Sequence, residues 1–422
     1  MLTKAPRGTK DITPKEVYKW KFIEDKIRNL CGVYGYEEMR TPVFEHTELF
    51  QRSVGDTTDI VQKEMYSFTD KGDRELTLKP EGTAGTIRAF IENKLYSETQ
   101  PTKLYYVTPC FRYERPQAGR QRQFHQFGVE AIGSATPSLD AEVIGLAMQF
   151  LKEVGLGDLT VNLNSVGCPV CRADYDKKLR EYLEERKDVL CETCNERMEK
   201  NPMRVLDCKN PTCQENLKDV PYIVDNLCDD CNDHFKELQV YLKEMDIPFV
   251  IDKKIVRGLD YYTKTAFEII SNDIGAQSTV CGGGRYDGLV EEIGGPKGTS
   301  GIGFGLGIER LLLTLENKGV EIENPYATDV FIVTIGERAK IKSFGLLKEL
   351  RDSHISSDKD HIDRSVKAQF KYSDKIKSKY TVVIGDEELE NDSVTLKNMA
   401  TSAQTNVKLS NLVSEIKNIL GK

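Results

Sequence analysis

Arginines are concentrated in the stretch CFRYERPQAGRQRQFHQFGVE, residues 110–130, where aromatic residues and glutamates stand between them. Arginine is preferred over lysine where a phosphate or carboxylate must be held by planar, bidentate contact. Arg112 lies inside a strand-like run, so we expect a sheet to fix its position. The remaining arginines stand on or beside a loop and are Arg115, Arg120 and Arg122. The pattern indicates an anionic ligand on the sheet and a larger polyanion over the loop, and a solvated charged hairpin is the alternative.

Three glycine- or tyrosine-rich stretches carry further arginines: VRGLDYYT (256–263), CGGGRYDGL (281–289) and GIGFGLGIER (301–310). Glycines at alternating positions would let a flat ring lie against the backbone of a sheet. Arg310 would then stand at the start of a helix. Tight packing of a helix on a sheet is the alternative explanation of the glycine run.

The cysteines form a second chemical cluster, because eight of the eleven fall between residues 168 and 231. They stand in four pairs with two or four intervening residues, a spacing that offers two thiolates to a tetrahedral zinc ion. Four pairs could make two structural zinc sites, and a set of reduced cysteines is the alternative. Which pairs would share an ion is left open by their order. The residues are Cys168, Cys171, Cys191, Cys194, Cys208, Cys213, Cys228 and Cys231.

The bulk properties describe an ordinary globular chain of 422 residues with 39% hydrophobic and 30% charged residues, a length that predicts two or three domains. No run approaches the roughly 18 apolar residues of a membrane span, so we expect a cytoplasmic protein without a membrane partner. Residues 326–422 contain 16 Lys+Arg and 14 Asp+Glu, a net charge of +2, which leaves −10 on the remainder of a chain whose total is −8. A mildly basic tail on an acidic body suits contact with a polyanion, although chance explains it equally well.

The sequence predicts that the candidate functional residues are positioned by strands paired as hairpins, with helices at their ends. Residues 102–114 and 122–133 predict an antiparallel hairpin around the turn RPQAGR, and the run from 301 predicts a strand that leads into a helix. Residues 76–95 predict a strand, a turn and a helix that begins at Thr83. Paired strands of this kind indicate an α+β fold rather than a doubly wound parallel sheet.

Two segments depart from this pattern and define the expected domains. A cysteine-rich insertion, 168–250, interrupts a catalytic domain of residues 1–325. Residues 326–422 predict a separate α/β domain, with a strand-helix-helix-strand order from Asp329 onward. In its second helix, Arg364, Lys367, Lys371 and Lys375 are expected to share one face.

These stretches together resemble the histidyl-tRNA synthetase family of the bacterial type. RTPVFEHTELFQRSVG, FRYERPQAGRQRQFHQFGVEAIG and GIGFGLGIER resemble the three motifs of class II synthetases, and RGLDYYT and CGGGRYDGL resemble the two histidine-specific motifs of the family. The resemblance covers nearly the whole chain. It implies a class II antiparallel sheet flanked by helices, a C-terminal anticodon-binding domain, and a homodimer joined through the first motif.

The implied reaction is ATP-dependent ligation of L-histidine to its tRNA through histidyl-adenylate, with release of AMP and diphosphate. By resemblance, Arg112 and Arg257 are the catalytic residues at the α-phosphate and the attacking carboxylate, and Arg310 holds the terminal phosphates. Magnesium is expected with ATP, and Glu114 is a candidate near the nucleotide. Besides Arg112 and Arg257, the implied histidine-binding residues are Glu81, Gly82, Thr83, Gln126, Glu130, Tyr261, Tyr262 and Tyr286.

The loop of the arginine-rich hairpin would meet the acceptor end of the tRNA. The residues expected there are Arg115, Gln117, Arg120 and Arg122, since arginine and glutamine both suit contact with base edges. One alternative stays open: a non-catalytic, synthetase-like regulatory subunit of ATP phosphoribosyltransferase in histidine biosynthesis. Such a subunit lacks the C-terminal domain and loses motif residues, whereas Arg112, Arg257, Arg310 and the tail are all present here.

Overall fold

The computed structural model of the chain describes residues 3–55, 58–256, 260–271, 279–325 and 327–421. The contacts divide the chain between Ile322 and Glu323 into two units. Arg257, which the resemblance places at the α-phosphate, lies outside the described residues. None of the described helices is long and apolar enough to cross a membrane.

The first unit is built on a large sheet whose strands are mostly antiparallel. Its strands are β1 (Glu37–Glu38), β2 (Phe44–His46), β3 (Tyr66–Thr69), β4 (Glu75–Leu78), β5 (Thr102–Phe111), β6 (Gln123–Ile132), β7 (Leu159–Ser165), β8 (Phe249–Ile251), β9 (Thr263–Ser271), β10 (Thr279–Arg285) and β11 (Gly301–Gly307). Eight of them form the large sheet in the order β1-β5-β6-β11-β10-β9-β7-β8, and β2-β4-β3 form a small one. The predicted hairpin of β5 and β6 is confirmed, with Tyr106 opposite Gly128.

Helices cover this sheet with their apolar faces. They are α1 (Val17–Val33), α2 (Thr47–Val54), α3 (Thr83–Glu92), α4 (Pro137–Glu153), α5 (Pro169–Glu184), α6 (Glu192–Lys200), α7 (Pro211–Asn216), α8 (Asp229–Glu244), α9 (Leu289–Glu292) and α10 (Ile308–Asn317). In α1, Trp20, Ile23, Ile27 and Leu30 are buried, and their spacing of three or four residues places them on one face. They join a core that includes Phe127 of β6.

The cysteine-rich insertion consists of α5 to α8 and stands between β7 and β8. The expected C-terminal boundary of the insertion, residue 250, lies too far along the chain, because Phe249 and Val250 pair with β7 in the large sheet. The insertion has apolar contacts of its own around Tyr175, Leu179 and Cys194. The insertion is therefore a helical connection between two neighbouring strands of the same sheet.

A buried ionic cluster ties the sheet to α4 and α8. Arg285, at the end of β10, is fully buried and pairs with Asp140 of α4, which is also fully buried. His234 of α8 lies 2.8 Å from the same carboxylate, and the Thr265 hydroxyl donates to it at 2.6 Å. Burial alone would raise the pKa of Asp140, but the His234 hydrogen bond and the Arg285 charge hold it below its ordinary value.

The second unit contains a five-stranded mixed sheet with helices of its own. Its elements are β12 (Val330–Thr334), α11 (Glu337–Asp352), β13 (Ser357–Lys359), α12 (Val366–Lys375), β14 (Tyr380–Ile384), α13 (Asp386–Glu390), β15 (Ser393–Asn398), β16 (Gln404–Lys408) and α14 (Leu412–Leu420). The strand order is β13-β12-β14-β15-β16, and β12 is buried along its whole length, as a central parallel strand must be. The predicted strands 329–335 and 380–385 and both predicted helices are present.

One prediction about the second unit is wrong. Arg364 does not share the helical face of Lys367, Lys371 and Lys375, because α12 begins at Val366. The Arg364 guanidinium instead pairs with Asp360 at 2.6 Å and stacks on the Tyr372 ring at 4.1 Å. The three lysines are exposed on the helix.

Candidate functional site

A cavity of about 620 Å³ opens in the first unit where β6, β10 and β11 meet the first residues of α3 and α10. Among the residues that the structure describes, its wall contains four cationic side chains, Arg112, Arg120, Lys209 and Arg310, and three carboxylates. The residues proposed from the sequence that line it are Glu81, Thr83, Arg112, Gln117, Arg120, Gln126, Tyr261, Tyr262 and Arg310.

Arg112 lies one residue beyond β5 and not inside it, so that part of the prediction needs correcting. Its backbone N–H donates to the Arg122 carbonyl at 2.9 Å, and its Nε donates to the Pro80 carbonyl at 2.8 Å. The guanidinium also stands 5.3 Å from the centre of the Phe124 ring. The loop before α3 and an aromatic side chain therefore fix Arg112, which also lines the cavity.

Arg310 reaches the same cavity from the first turn of α10. Burial, and then the nearby charge of Arg120, lower the pKa of Arg310 below its ordinary value. A guanidinium stays protonated at neutral pH even after such a shift. Glu114 lies between Arg112 and Arg120, with oxygens 3.9 and 3.6 Å from their nitrogens. The cavity thus brings several cationic side chains together, and such an arrangement suits the binding of a polyphosphate.

A buried carboxylate stands beside these cations at the start of α3. Glu81 is 2% exposed and accepts the backbone N–H groups of Thr83 and Ala84 at 2.7 and 2.8 Å. Burial raises the pKa of Glu81, and the two N–H donors oppose that rise. Gln126 Oε1 accepts the N–H of Gly82 at 2.8 Å, so the turn before α3 is joined to β6. Glu81 and Gln126 both offer acceptors that could hold an ammonium group.

Glu130 is buried behind the cavity wall. It is 1% exposed and accepts the hydroxyl groups of Tyr106 at 3.0 Å and Tyr286 at 2.5 Å. Burial raises its pKa to about 8, although the hydroxyl donors oppose the rise. Neither Glu130 nor Tyr286 is among the described residues that line the cavity. The placement of Tyr286 in a histidine pocket stays a prediction.

The glycines of β11 make room for these polar side chains. A Cβ on Gly303 would lie 2.0 Å from Glu130 Oε2, and one on Gly305 would lie 2.2 Å from Gln126 Nε2. Both glycines pair with β6, opposite Glu130 and Gly128. Gly305 and Gly307 both line the cavity. The Gln126 side chain occupies the space beside Gly305, so an open surface for a flat ring is found only beside Gly307 among these two glycines. The space beside the other glycines of β11 is occupied by protein side chains.

Tyr261 and Tyr262 form an aromatic part of the cavity wall, and Tyr286 packs behind them. The rings of Tyr261 and Tyr262 lie 4.6 Å apart, and Tyr261 meets Tyr286 edge-on at 5.8 Å. Burial raises the pKa of Tyr261 well above its ordinary value, so its hydroxyl stays neutral and can donate. These rings enclose a space beside Thr83 and Gln126 that combines apolar walls with hydrogen-bonding groups.

The four loop residues proposed to meet a tRNA do not share one environment. Gln117 and Arg120 exchange backbone hydrogen bonds at 3.1 and 2.9 Å across the tip of the loop, and both line the cavity. Arg115 is exposed. Arg122 instead donates to the Glu114 carbonyl at 3.2 Å and stacks on the Tyr113 ring at 3.9 Å. Its side chain therefore stabilises the hairpin.

The eight clustered cysteines separate into two groups in space. Cys168, Cys171, Cys228 and Cys231 form one group, and Cys191, Cys194, Cys208 and Cys213 form the other. The sulfur atoms within each group lie within 4.8 Å of one another, and all eight cysteines are free of disulfide bonds.

Several side chains at the site were not found from the sequence. Tyr106, which contacts Glu130 and Thr83, could have been found from its alternation with Leu104 in β5. Phe124 pairs with Cys110 across the hairpin, so the strand pairing could have placed its ring near Arg112. Asp207 and Lys209 line the cavity from the insertion, and no local signal marks them, since their position depends on how the insertion folds back.

The comparisons with known proteins agree along the whole chain. Residues 8–311 match a family model described as histidyl-tRNA synthetase, and residues 329–419 match one described as an anticodon binding domain. A histidine–tRNA ligase of Clostridioides difficile is 78% identical over 417 residues, covering 99% of each chain. The crystal structure of apo histidyl-tRNA synthetase from Staphylococcus aureus matches with a TM-score of 0.84 and 42% identity, covering 99% of this chain and 100% of that one.

A structure titled as an ATP phosphoribosyltransferase regulatory subunit/histidyl-tRNA synthetase from Bacillus halodurans also matches, with a TM-score of 0.64 and 22% identity. It covers 91% of this chain and 99% of that one, and at this identity it shows the fold alone. The anticodon-binding match and the full-length relatives do not favour the regulatory-subunit alternative.

The large antiparallel-dominated sheet, its flanking helices and the separate C-terminal domain define a class II aminoacyl-tRNA synthetase, as predicted. Within that class, the chain belongs to the histidyl-tRNA synthetase family.

Proposed function

We propose that this protein ligates L-histidine to its tRNA in two steps, with ATP as the second substrate. Histidine and ATP form histidyl-adenylate and diphosphate, and the histidyl group then passes to the tRNA with release of AMP. One observation carries the proposal: Arg112 and Arg310 face a single cavity that also contains Glu81, Gln126 and Tyr262. Relatives that cover the whole chain are named histidine–tRNA ligases.

The first step joins two anions, so it depends on positioning and on neutralising charge. In the proposal, Arg112 holds the α-phosphate and the attacking carboxylate, and Arg310 holds the terminal phosphates. Arg257 would add a third guanidinium at the α-phosphate. Magnesium arrives with ATP and neutralises phosphate charge, and Glu114 offers a carboxylate near Arg112.

Recognition of histidine requires partners for an ammonium group and an imidazole ring. Glu81, Thr83 and Gln126 are proposed for the ammonium group, with Gly82 holding the turn between them. Glu130 and Tyr262 are proposed for the two ring nitrogens, with Tyr261 and Tyr286 as neighbours. A site built around such hydrogen bonds rejects an apolar mimic, because its buried groups would be left unpaired.

The tRNA is proposed to contact both units. Arg115, Gln117 and Arg120 are placed for the acceptor end, with Arg122 supporting their loop, and residues 326–422 are proposed to bind the anticodon stem. The catalytic region would be residues 1–325. A homodimer through residues 40–55 and a cytoplasmic location complete the proposal, together with structural zinc at the eight clustered cysteines.

The direct test is aminoacylation by the full chain, with purified histidine tRNA, ATP and radiolabelled histidine. We expect acid-precipitable histidyl-tRNA and one AMP per histidine transferred. Replacing ATP by its α,β-methylene analogue, which cannot form an adenylate, is the matched control and should abolish transfer. Absence of charged tRNA with active substrate preparations would reject the proposed function.

A further inference from the structure

The two cysteine groups have the dimensions of tetrahedral metal sites. Cys168 Sγ lies 3.7 Å from Cys171 Sγ and 3.8 Å from Cys228 Sγ. In the second group, Cys191 Sγ lies 3.9 Å from Cys208 Sγ. Zinc–thiolate bonds of about 2.3 Å in a regular tetrahedron separate the sulfur atoms by roughly 3.8 Å. These separations leave room for an ion between thiolates and are too long for a disulfide.

The surroundings of the sulfur atoms favour thiolates. Cys168, Cys191 and Cys228 each stand directly before a helix, at the N-termini of α5, α6 and α8. The positive end of a helix dipole stabilises a negative sulfur there. Backbone N–H groups also point at sulfur: that of Cys228 donates to Cys171 at 3.1 Å, and that of Cys191 donates to Cys213 at 3.2 Å. Four thiolates around a divalent cation carry excess negative charge, which these donors offset.

We propose that the chain binds two zinc ions in a nested arrangement. The first and last pairs form an outer site, Cys168, Cys171, Cys228 and Cys231, which joins the start of α5 to the start of α8 and so closes the insertion at its base. The two middle pairs form an inner site, Cys191, Cys194, Cys208 and Cys213. Tetrathiolate coordination leaves no open position, so both ions are structural.

The inner site also supports the wall of the cavity. Cys208 is a buried residue of that site, and its neighbours Asp207 and Lys209 both line the cavity that contains Arg112 and Arg310. The Gln214 side chain donates to the Cys208 carbonyl, which adds a second restraint on the same segment. The inner ion therefore positions Lys209, a cation facing the proposed ATP site; this step rests on the proposed function.

Double cysteine-to-serine variants test which cysteines share an ion. Bound zinc is measured by native mass spectrometry of reduced, full-length protein. The wild type should hold two zinc ions per chain. Replacing Cys168 and Cys228 by serine removes two ligands of one site, so one ion should remain. Replacing Cys168 and Cys191 by serine damages both sites, so almost none should remain. If cysteine pairs that are neighbours along the chain shared an ion instead, the two variants would give the opposite results. A wild type without zinc would overturn the assignment altogether.

Should a variant fail to fold, cobalt(II) titration of the reduced, metal-free wild type gives a second measurement. Two equivalents per chain should produce the absorption of tetrahedral cobalt–thiolate centres, and saturation at one equivalent or at none would contradict the proposal. Neither measurement requires synthetase activity, so failure of the zinc assignment is distinguishable from failure of the proposed function.

The role at the cavity wall is tested by the KM for ATP in histidine-dependent pyrophosphate exchange. Cys191→Ser should raise this KM about ten-fold, the effect of one lost charge-assisted hydrogen bond, and should change kcat less. Lys209→Ala should do the same, and Lys209→Arg should restore most of the loss. The outer-site variant Cys168→Ser is the matched control and should stay near the wild-type KM. Equal KM values in the inner- and outer-site variants would overturn the positioning role.

Discussion

Glu130 is the residue on which discrimination of histidine depends most in this account. It is enclosed by the Tyr106 and Tyr286 hydroxyl groups and by the backbone of Gly303. A carboxylate in such surroundings can accept an imidazole N–H strongly, because the low local dielectric strengthens the bond.

We therefore expect Glu130→Gln to raise the KM for histidine by about ten- to hundred-fold, the range for a lost hydrogen bond to a charged group. The KM for ATP should change little. Pyrophosphate exchange at varied histidine measures both values, and Glu415→Gln, an exposed glutamate of α14, is the control. An unchanged KM for histidine would remove Glu130 from the binding site.

The same carboxyl group should make stability depend on pH. Burial raises the pKa of Glu130 from 4.5 to about 8 in the folded protein, so the folded state holds the proton more tightly than the unfolded chain does. The resulting stabilisation is complete below about pH 4.5 and is lost as pH rises through about 8. Its upper limit is on the order of 5 kcal/mol. Urea unfolding without ligand between pH 6 and pH 9 should show a steeper decline for the wild type than for Glu130→Gln, and parallel curves would contradict the shift.

At the scale of elements, the buried Arg285–Asp140 pair fixes the end of β10 against α4. Arg285 makes further hydrogen bonds to the carbonyls of Ser134 and Thr136, at 2.9 and 3.2 Å. Its neighbour Tyr286 contacts Glu130, so this pair holds the strand that supports the proposed histidine site.

Arg285→Met should lower the free energy of unfolding by about 3–5 kcal/mol, because it leaves the Asp140 carboxylate buried without its ionic partner. Urea denaturation monitored by circular dichroism measures the change. Arg338→Met removes an exposed arginine paired with Glu390 at 3.3 Å and is the control, with an expected effect below about 1 kcal/mol. An equal decrease in the free energy of unfolding in both variants would show that the buried pair contributes no more to stability than the exposed one.

Elements with strong local patterns were predictable, and contacts between distant segments were not. The β5–β6 hairpin and the strand-to-helix run into α10 follow from alternation and turn residues. The short β13 and the β15–β16 pair were missed because their sequences are polar and their burial depends on β12 and β14. The Arg285–Asp140–His234 cluster joins residues far apart in sequence, and the cysteine pairing depends on the path of the insertion. Motif resemblance supplied the proposed site residues, but it could not show that Glu130 is not among the described residues that line the cavity.

At the scale of the whole molecule, the two units have separate cores. Among the described residues, the core of the second unit contains Val330, Ile332, Leu347 and Val382. Its matched description as an anticodon binding domain suits a role in holding tRNA. Adenylate formation should therefore depend on the first unit alone.

A chain of residues 1–322 should retain histidine-dependent pyrophosphate exchange within about ten-fold of the full chain. It should lose tRNA charging by at least about a hundred-fold, because it lacks the unit proposed to bind the tRNA phosphates, and such contacts supply much of the affinity for a nucleic acid. The two assays on the same preparation give the comparison, and circular dichroism checks that the truncated chain is folded. Equal losses in exchange and charging would contradict this division of labour.

The most direct measurement of the central claim is pyrophosphate exchange with each of the twenty amino acids, using the full chain and its Arg112→Ala variant. We expect exchange with histidine alone, and a loss of at least about a hundred-fold in kcat on removal of Arg112, in line with other groups that stabilise transition-state charge. Activation of a different amino acid, or full activity without Arg112, would contradict the central claim.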